Sequence, residues 1–397
     1  MKRSLLFIFV CFSLSSLAQD YAWIQKATFG GTARHRSVGV TIGNRGYMGL
    51  GHINSVVDVQ FKDWWEYDPG TNSWTQKANY PPGRRYHAAG FAIGNYAYVG
   101  TGRDTTFANK RDFWRYDAVN NVWNQIPDFP GSARRGAVAF AINGMGYVGT
   151  GSSTADFYRY NPMTNSWSPI PSLPGPGRIS AVGFAIGNKG YVGTGDTGGP
   201  SADLYEYDPS TNSWTQKASL PGLPRMEAGG FSLLGKGYIG TGDNFSSGTN
   251  YQDFWRYDPL TNSWTQVQDF GGSARRYLCS FTIGTRAYAG LGTSGINYQD
   301  LWEYGSMSGE GETETDISVK IFPNPVSQQA VIQLGSAGYQ EESAWFELYD
   351  MSGKLVRRLE LAGEETLLLR DDIASGSYVY TIYSGAVLLH SGKLIFE

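Results

Sequence analysis

The sequence predicts an all-β protein: a six-bladed β-propeller closed by its N-terminal strand, followed by a small immunoglobulin-like β-sandwich. Composition is the first reason. With 52 Gly, 26 Tyr and 12 Trp and only 17% charged residues, the chain describes short strands joined by tight turns rather than helices. The second is a period near fifty residues that returns six times. The third is a displaced copy of the last strand of the repeat, which stands in front of the first repeat instead of after the last.

Residues 1–18 read as a signal peptide: Met1, Lys2 and Arg3, an apolar run from Leu5 to Leu17, and the small-residue end Ser16-Leu17-Ala18, with cleavage expected before Gln19. No later stretch approaches the roughly 20 apolar residues of a membrane span, so no transmembrane segment is expected. Cys11 leaves with the signal peptide. Cys279 alone cannot form an internal disulfide, and packing must hold the exported chain together.

Residues 19–305 carry the repeats. Gly46-Tyr47-Met48-Gly49-Leu50-Gly51 recurs ending at Gly102, Gly151, Gly195, Gly242 and Gly292, mostly as Tyr-Val-Gly-Thr-Gly. Asp-x-aromatic-x-Tyr begins at Asp63, Asp112, Asp156, Asp203, Asp253 and Asp300. Trp74, Trp123, Trp167, Trp214 and Trp264 open a further strand, and the sixth such Trp is Trp23. The final repeat stops at Tyr304 without its Trp strand, so the N-terminal strand should complete the last blade and remove both open edges. Asp-Pro-x-Thr-Asn-Ser between the third and fourth strands is a hairpin signal.

These motifs resemble the kelch family: an Arg-led first strand, a glycine-paired second, Tyr-Asp closing the third and Trp opening the fourth. The likeness covers roughly residues 21–305, with Gly-Thr-Gly or Gly-Leu-Gly where the family has a Gly-Gly pair. It implies a propeller with a central channel. It implies no activity, because enzymes, adhesins and scaffolds share the fold.

One Arg leads each first strand: Arg34, Arg85, Arg134, Arg178, Arg225 and Arg275. Strands one and three run the same way, so this ring shares an end with the Asp of each repeat, and two readings follow. Either each Arg is a structural clamp neutralised by its own Asp, or the ring is an anion-binding pocket at the channel mouth. The residues just after the ring differ between repeats: His35-Arg36, Tyr86-His87, Arg135-Gly136, Ile179-Ser180, Met226-Glu227 and Arg276-Tyr277. The extra guanidinium groups of Arg36, Arg135 and Arg276, with His87, suit a carboxylate, sulfate or phosphate, so an acidic glycan or acidic peptide is the expected ligand class. The loops between strands two and three run from four residues (152–155) to eleven (52–62) and bring Phe61, Phe107, Phe245, Tyr251 and Tyr298 as stacking candidates. Ten of the twelve Trp occupy repeat slots and are core by position.

Copper-radical oxidases on kelch propellers need two His, two Tyr and a Cys around the metal, a set this chain with four His does not suggest, and Cys279 occupies a small-residue core slot. No metal or cofactor is expected. Comparison with the sialic-acid mutarotases, six-bladed kelch proteins that bind an acidic sugar, raises a second possibility, in which Glu227, His87 and Tyr277 serve acid–base steps.

Residues 306–316 form an acidic linker free of large aliphatics, and 317–397 a second domain. Lys320-Ile321-Phe322-Pro323-Asn324-Pro325, Glu347 to Lys354, Ser375 to Tyr380 and Gly392 to Ile395 resemble, in order, the type A sorting domain of the type IX secretion system. That resemblance implies a Gram-negative cell, the secretion machinery as a partner, and a destination outside the outer membrane or on it. A net charge of −3 without basic runs argues against nucleic acid as a partner. The expectation is a monomeric, secreted or surface-held kelch protein that binds a glycan or protein through its Arg-bearing face, without catalysis.

Overall fold

A computed structural model describes residues 21–54, 58–245, 248–306, 319–334, 344–350, 355–361, 363, 365–384 and 387–397. The signal-peptide reading lies outside these residues, as does nearly all of the proposed linker. Among the described residues every regular element is a strand, and no helix is long and apolar enough to cross a membrane.

Between residues 21 and 306 the described strands form six four-stranded antiparallel sheets and two short two-stranded ribbons, His52–Asn54 with Asp58–Gln60 and Asp243–Asn244 with Thr249–Asn250. The first strands of the six sheets are Val38–Ile42, Ala89–Ile93, Val138–Ile142, Val182–Ile186, Gly229–Leu233 and Cys279–Ile283. Each packs against the first strand of the sheet before and after it, and the last packs against the first, so the set closes into a ring. Small residues allow this approach: a Cβ on Gly90 would stand 2.4 Å from Val38 of the neighbouring sheet, and one on Gly230 would stand 2.3 Å from Val182.

The last sheet takes its fourth strand from the N-terminus. Tyr21–Gln25 pairs antiparallel with Leu301–Ser306, placing Trp23 opposite Tyr304 just as Trp74 lies opposite Tyr67 in the first sheet. Trp23 is 8% exposed and packs against Phe231, Phe254, Phe270 and Tyr304. Aromatic clusters of this kind fill the space between successive sheets.

The hairpin motif has a hydrogen-bonding reason. Asn72 Oδ1 accepts from the Tyr67 hydroxyl (2.8 Å) and from the Ala27 amide of the preceding connection (2.9 Å). The indole N–H of Trp123 donates to the Ala78 carbonyl at 2.8 Å, and Trp214 and Trp264 make the equivalent bond. Asn-x-Trp therefore ties five outer strands to the preceding connection through the indole N–H, a bond that Trp23 does not make.

The C-terminal residues form two further sheets. One contains Val319–Phe322, Gln329–Leu334 and Glu365–Leu369, and the other contains Ala344–Tyr349, Leu355–Leu361, Gly376–Ser384 and Val387–Phe396. Ile332 and Leu368 of the first share one buried core with Phe346, Ile382 and Leu394 of the second.

Candidate functional site

Where each second strand ends, the chain takes an unusual turn. Leu50, Thr101, Thr150, Thr194, Thr241 and Leu291 have φ between 56° and 61°, and the glycine after each has φ between 83° and 94°. A left-handed non-glycine residue is disfavoured by roughly 1 kcal/mol, so the surroundings must hold it. The ring arginines do so. From Arg34 to Arg275, each donates to the carbonyl of that Leu or Thr at 2.6–3.1 Å and forks onto the Asp of its own repeat at 2.5–3.1 Å. The amides of the six glycines then donate to the carbonyl of the Arg in the next repeat at 2.7–2.9 Å, and Gly292 closes the cycle onto Arg34.

All six arginines are at most 2% exposed. Arg34, Arg85, Arg134, Arg178, Arg225 and Arg275 thus present no free guanidinium at the mouth. Their geometry is that of an internal clamp, and the pocket reading of the ring gives way to it. Tyr251 and Tyr298 are likewise committed, stacked over Arg225 (4.8 Å) and Arg275 (3.7 Å), as Phe61 is over Arg34 (3.7 Å). A buried guanidinium needs its π face covered as well as its N–H groups paired, and these loop aromatics cover it.

Two positions after each Arg the chain is left-handed again. Arg36, His87, Gly136, Ser180, Glu227 and Tyr277 have φ between 56° and 62°. The amides of the last five each donate to the carbonyl of the preceding member at 2.6–3.1 Å, so these residues form an annulus around the axis. Between Tyr277 and Arg36 the contact passes through side chains, with Arg36 Nη2 donating to the Tyr277 hydroxyl at 2.5 Å. Beneath lies a cavity of about 140 Å³ lined by Arg36, His87, Ser180 and Tyr277 above the small residues Ser37, Ala88, Ala137, Ala181 and Ala228.

The annulus is charged and mutually compensated on one side. The Tyr277 hydroxyl donates to Glu227, whose other oxygen lies 3.2 Å from Arg276 Nε, and Arg276 reaches Asp243 at 3.0 Å. Arg36 stacks on the Tyr277 ring (4.2 Å), lies 4.0 Å from Glu227 and donates to His52 Nε2 at 2.8 Å. Burial pushes the Glu227 carboxyl up to about 7, against the opposing pull of Tyr277, Arg36 and Arg276. Burial and the nearby arginines lower His35 to about 4 and His52 to about 2, and hold His87 well below its ordinary value. Arg135 stands close enough to depress His52 and His87, yet no carboxylate pairs with it among the described residues.

Comparison with known proteins fits this geometry. The family model described as the kelch motif matches residues 146–174, and that described as the secretion system C-terminal sorting domain matches residues 320–397. The chain is a kelch-repeat β-propeller protein with a C-terminal secretion sorting domain. Among solved structures, one titled "Structure of YjhT" aligns with a TM-score of 0.58 at 17% identity, covering 70% of this chain and 96% of that one, a likeness of fold alone. No curated protein matches the chain.

The kelch propeller thus gathers Arg36, His87, Glu227, Arg276 and Tyr277 at its axis with Arg135 beside them, and withdraws the Arg ring, Tyr251 and Tyr298 into its walls. Two members of the site escape the sequence reading. His52, the first residue of the loop 52–62, is 2% exposed and bonded to Arg36; Asp243, at the equivalent position of the fifth repeat, is 1% exposed and bonded to Arg276. The signal for both was position, since each directly follows the left-handed glycine of its repeat. Cys279 is buried in the core, which pushes its thiol up to about 12. Among the described residues no group of three or more His, Cys, Asp or Glu could hold a metal ion.

Proposed function

We propose that this secreted kelch protein binds an anionic group of a glycan or protein at the axial annulus, without catalysing a reaction. The observation that carries the reading is the non-repeating annulus itself. Six positions that the fold treats alike hold Arg36, His87, Gly136, Ser180, Glu227 and Tyr277, so their differences serve something other than the fold. Arg135, which no described carboxylate neutralises, and Arg36 at the cavity wall favour an anion. In this reading the chain divides into a signal peptide (1–18), a six-bladed propeller (19–305), a linker (306–316) and an immunoglobulin-like sorting domain (317–397) that carries it through type IX export to the surface of a Gram-negative cell or beyond it.

The test is a thermal-shift and calorimetric screen of the full chain against monomeric uronic and sialic acids and matched neutral sugars. Stabilisation by the acids that fades with salt, and is lost in Arg36→Met and Arg135→Ser, is the expected result. Equal response to the neutral sugars, or full retention in both variants, overturns it.

A second reading is a sugar-active enzyme of mutarotase type. It draws on Glu227, whose carboxyl near 7 is poised to exchange a proton at neutral pH, with the Tyr277 hydroxyl against it and His87 beside the Tyr277 ring. Faster interconversion of sugar anomers that disappears in Glu227→Gln supports it; an unchanged rate against buffer removes it.

A further inference from the structure

The boundary between the second and third repeats carries a cluster of cations that the other repeats lack. Arg84 is exposed just before the clamp Arg85, where the other repeats have Ala33, Ala133, Gly177, Pro224 and Ala274. Arg103 follows the left-handed Gly102, where the others have His52, Ser152, Asp196, Asp243 and Thr293. Lys110 and Arg111 precede the third strand, and Arg135 borders the annulus. Six copies of one unit act as controls for one another, and the fold demands none of these charges.

The backbone sets them side by side. Tyr86 pairs with Arg103, Arg103 with Asn109, and Lys110 with Arg134. Three such spacings place Arg84, Arg103, Lys110 and Arg135 on adjoining segments within about 15 Å, a strip leading outward from the axis. Lys110 is paired with Asp104 (2.7 Å) and Arg111 with Asp128 (3.5 Å), while Arg84, Arg103 and Arg135 have no carboxylate partner among the described residues. Along this strip lies a groove of about 380 Å³, lined by Lys110, Arg111 and the clamp pair Arg85 and Asp112, together with Asp104, Asn109 and Asp128. The strip is basic on a chain whose net charge is −3.

We infer that this strip is a second subsite for an extended anionic oligosaccharide, whose one end occupies the annulus. The inference rests on the annulus reading for that end only. The mixed lining selects the class. A densely charged strand such as a nucleic acid would meet Asp104 and Asp128 at every step, whereas a sugar chain presents anions separated by hydroxyl groups, which carboxylates and an Asn side chain recognise by hydrogen bonds. Carboxylated and sulfated chains share this chemistry.

The experiment is calorimetric titration of the full chain with galacturonic acid, hexagalacturonic acid and a sulfated dextran hexamer, at low and moderate salt. The hexamer of the preferred source should bind more tightly than the monosaccharide. Arg84→Ser/Arg103→Ser should weaken it about tenfold, the sum of two exposed charge contacts, without changing monosaccharide binding or melting temperature. Arg36→Met should remove the monosaccharide. A hexamer that binds no better than the monomer, or equally well to the double variant, overturns the strip and leaves the annulus standing. A hexamer sensitive to the double variant while the monosaccharide never binds upholds the strip and removes the annulus reading. Stronger binding of a polyglutamate peptide or a DNA strand of equal charge replaces the glycan, and silence of both hexamers ends the proposal.

Discussion

Glu227 is a carboxylate held where its charge is expensive, and the pH dependence of stability should report it. Its folded-state value near 7 lies above the usual 4.5, so its contribution to stability is complete below about 4.5 and is lost as pH rises through about 7. His35, His52 and His87 act in the opposite sense: lowered in the fold, they contribute above about 6.5 and lose that contribution as pH falls. Wild-type stability should therefore peak near neutrality, and the Glu227 share must be read from a difference. Relative to wild type, Glu227→Gln should gain up to about 3 kcal/mol between pH 5 and pH 8, measured by denaturant unfolding across that range. Parallel curves would show that Glu227 does not titrate there. The clamp supplies a contrast: Asp203→Ala leaves Arg178 buried and unpaired and should cost about 3 kcal/mol, whereas Arg84→Ser, on the surface, should stay within about 0.5 kcal/mol. The clamp was legible in the sequence because repetition displays it six times. The annulus was only half legible: Arg36, and Arg135 beside the annulus, resemble the clamp residues they follow, and what turns Arg36 to the axis is a positive φ at a non-glycine residue, which no propensity marks.

At the scale of the strand, the ring depends on one non-local pairing. The edge of Leu301–Ser306 is covered by Tyr21–Gln25, which arrives from the other end of the repeat region. The displaced Trp23-Ile24-Gln25-Lys26 made that closure readable, because a spare fourth strand at one end and a missing one at the other admit a single economical solution. Hydrogen bonds beyond the strands repeat the closure, from the Gly292 amide to the Arg34 carbonyl and from the Arg34 amide to the Tyr298 carbonyl. Trp23→Ala should therefore destabilise the propeller by about 3 kcal/mol, as expected for truncating a packed aromatic. Removing residues 19–25 should also expose the edge of Leu301–Ser306 and promote self-association through it. Size-exclusion chromatography of the two variants separates these effects: the point variant should stay at the wild-type elution volume, and the deletion should shift to higher mass. A deletion variant that keeps both mass and melting temperature would mean the strand is dispensable.

At the scale of the whole chain, two sets of cores do not mix. Every buried member of the C-terminal core lies between Val326 and Phe396, and every other buried cluster draws on residues from Trp23 to Tyr304. A unit with its own core can be removed without opening the other, so the sorting domain should be separable from the proposed binding surface in both stability and destination. A chain ending at residue 316 should melt with the propeller transition of the full chain and keep whatever anion binding that chain has, yet remain inside the cell that makes it. Cell fractionation with a melting curve on the retained protein checks both halves. Truncated protein in the medium would remove the sorting role, while a lowered propeller transition would show that the C-terminal residues support the ring despite their separate core. The expected pair of results would mean that export selects on the last eighty or so residues alone, leaving the annulus and its loops free to vary with the ligand.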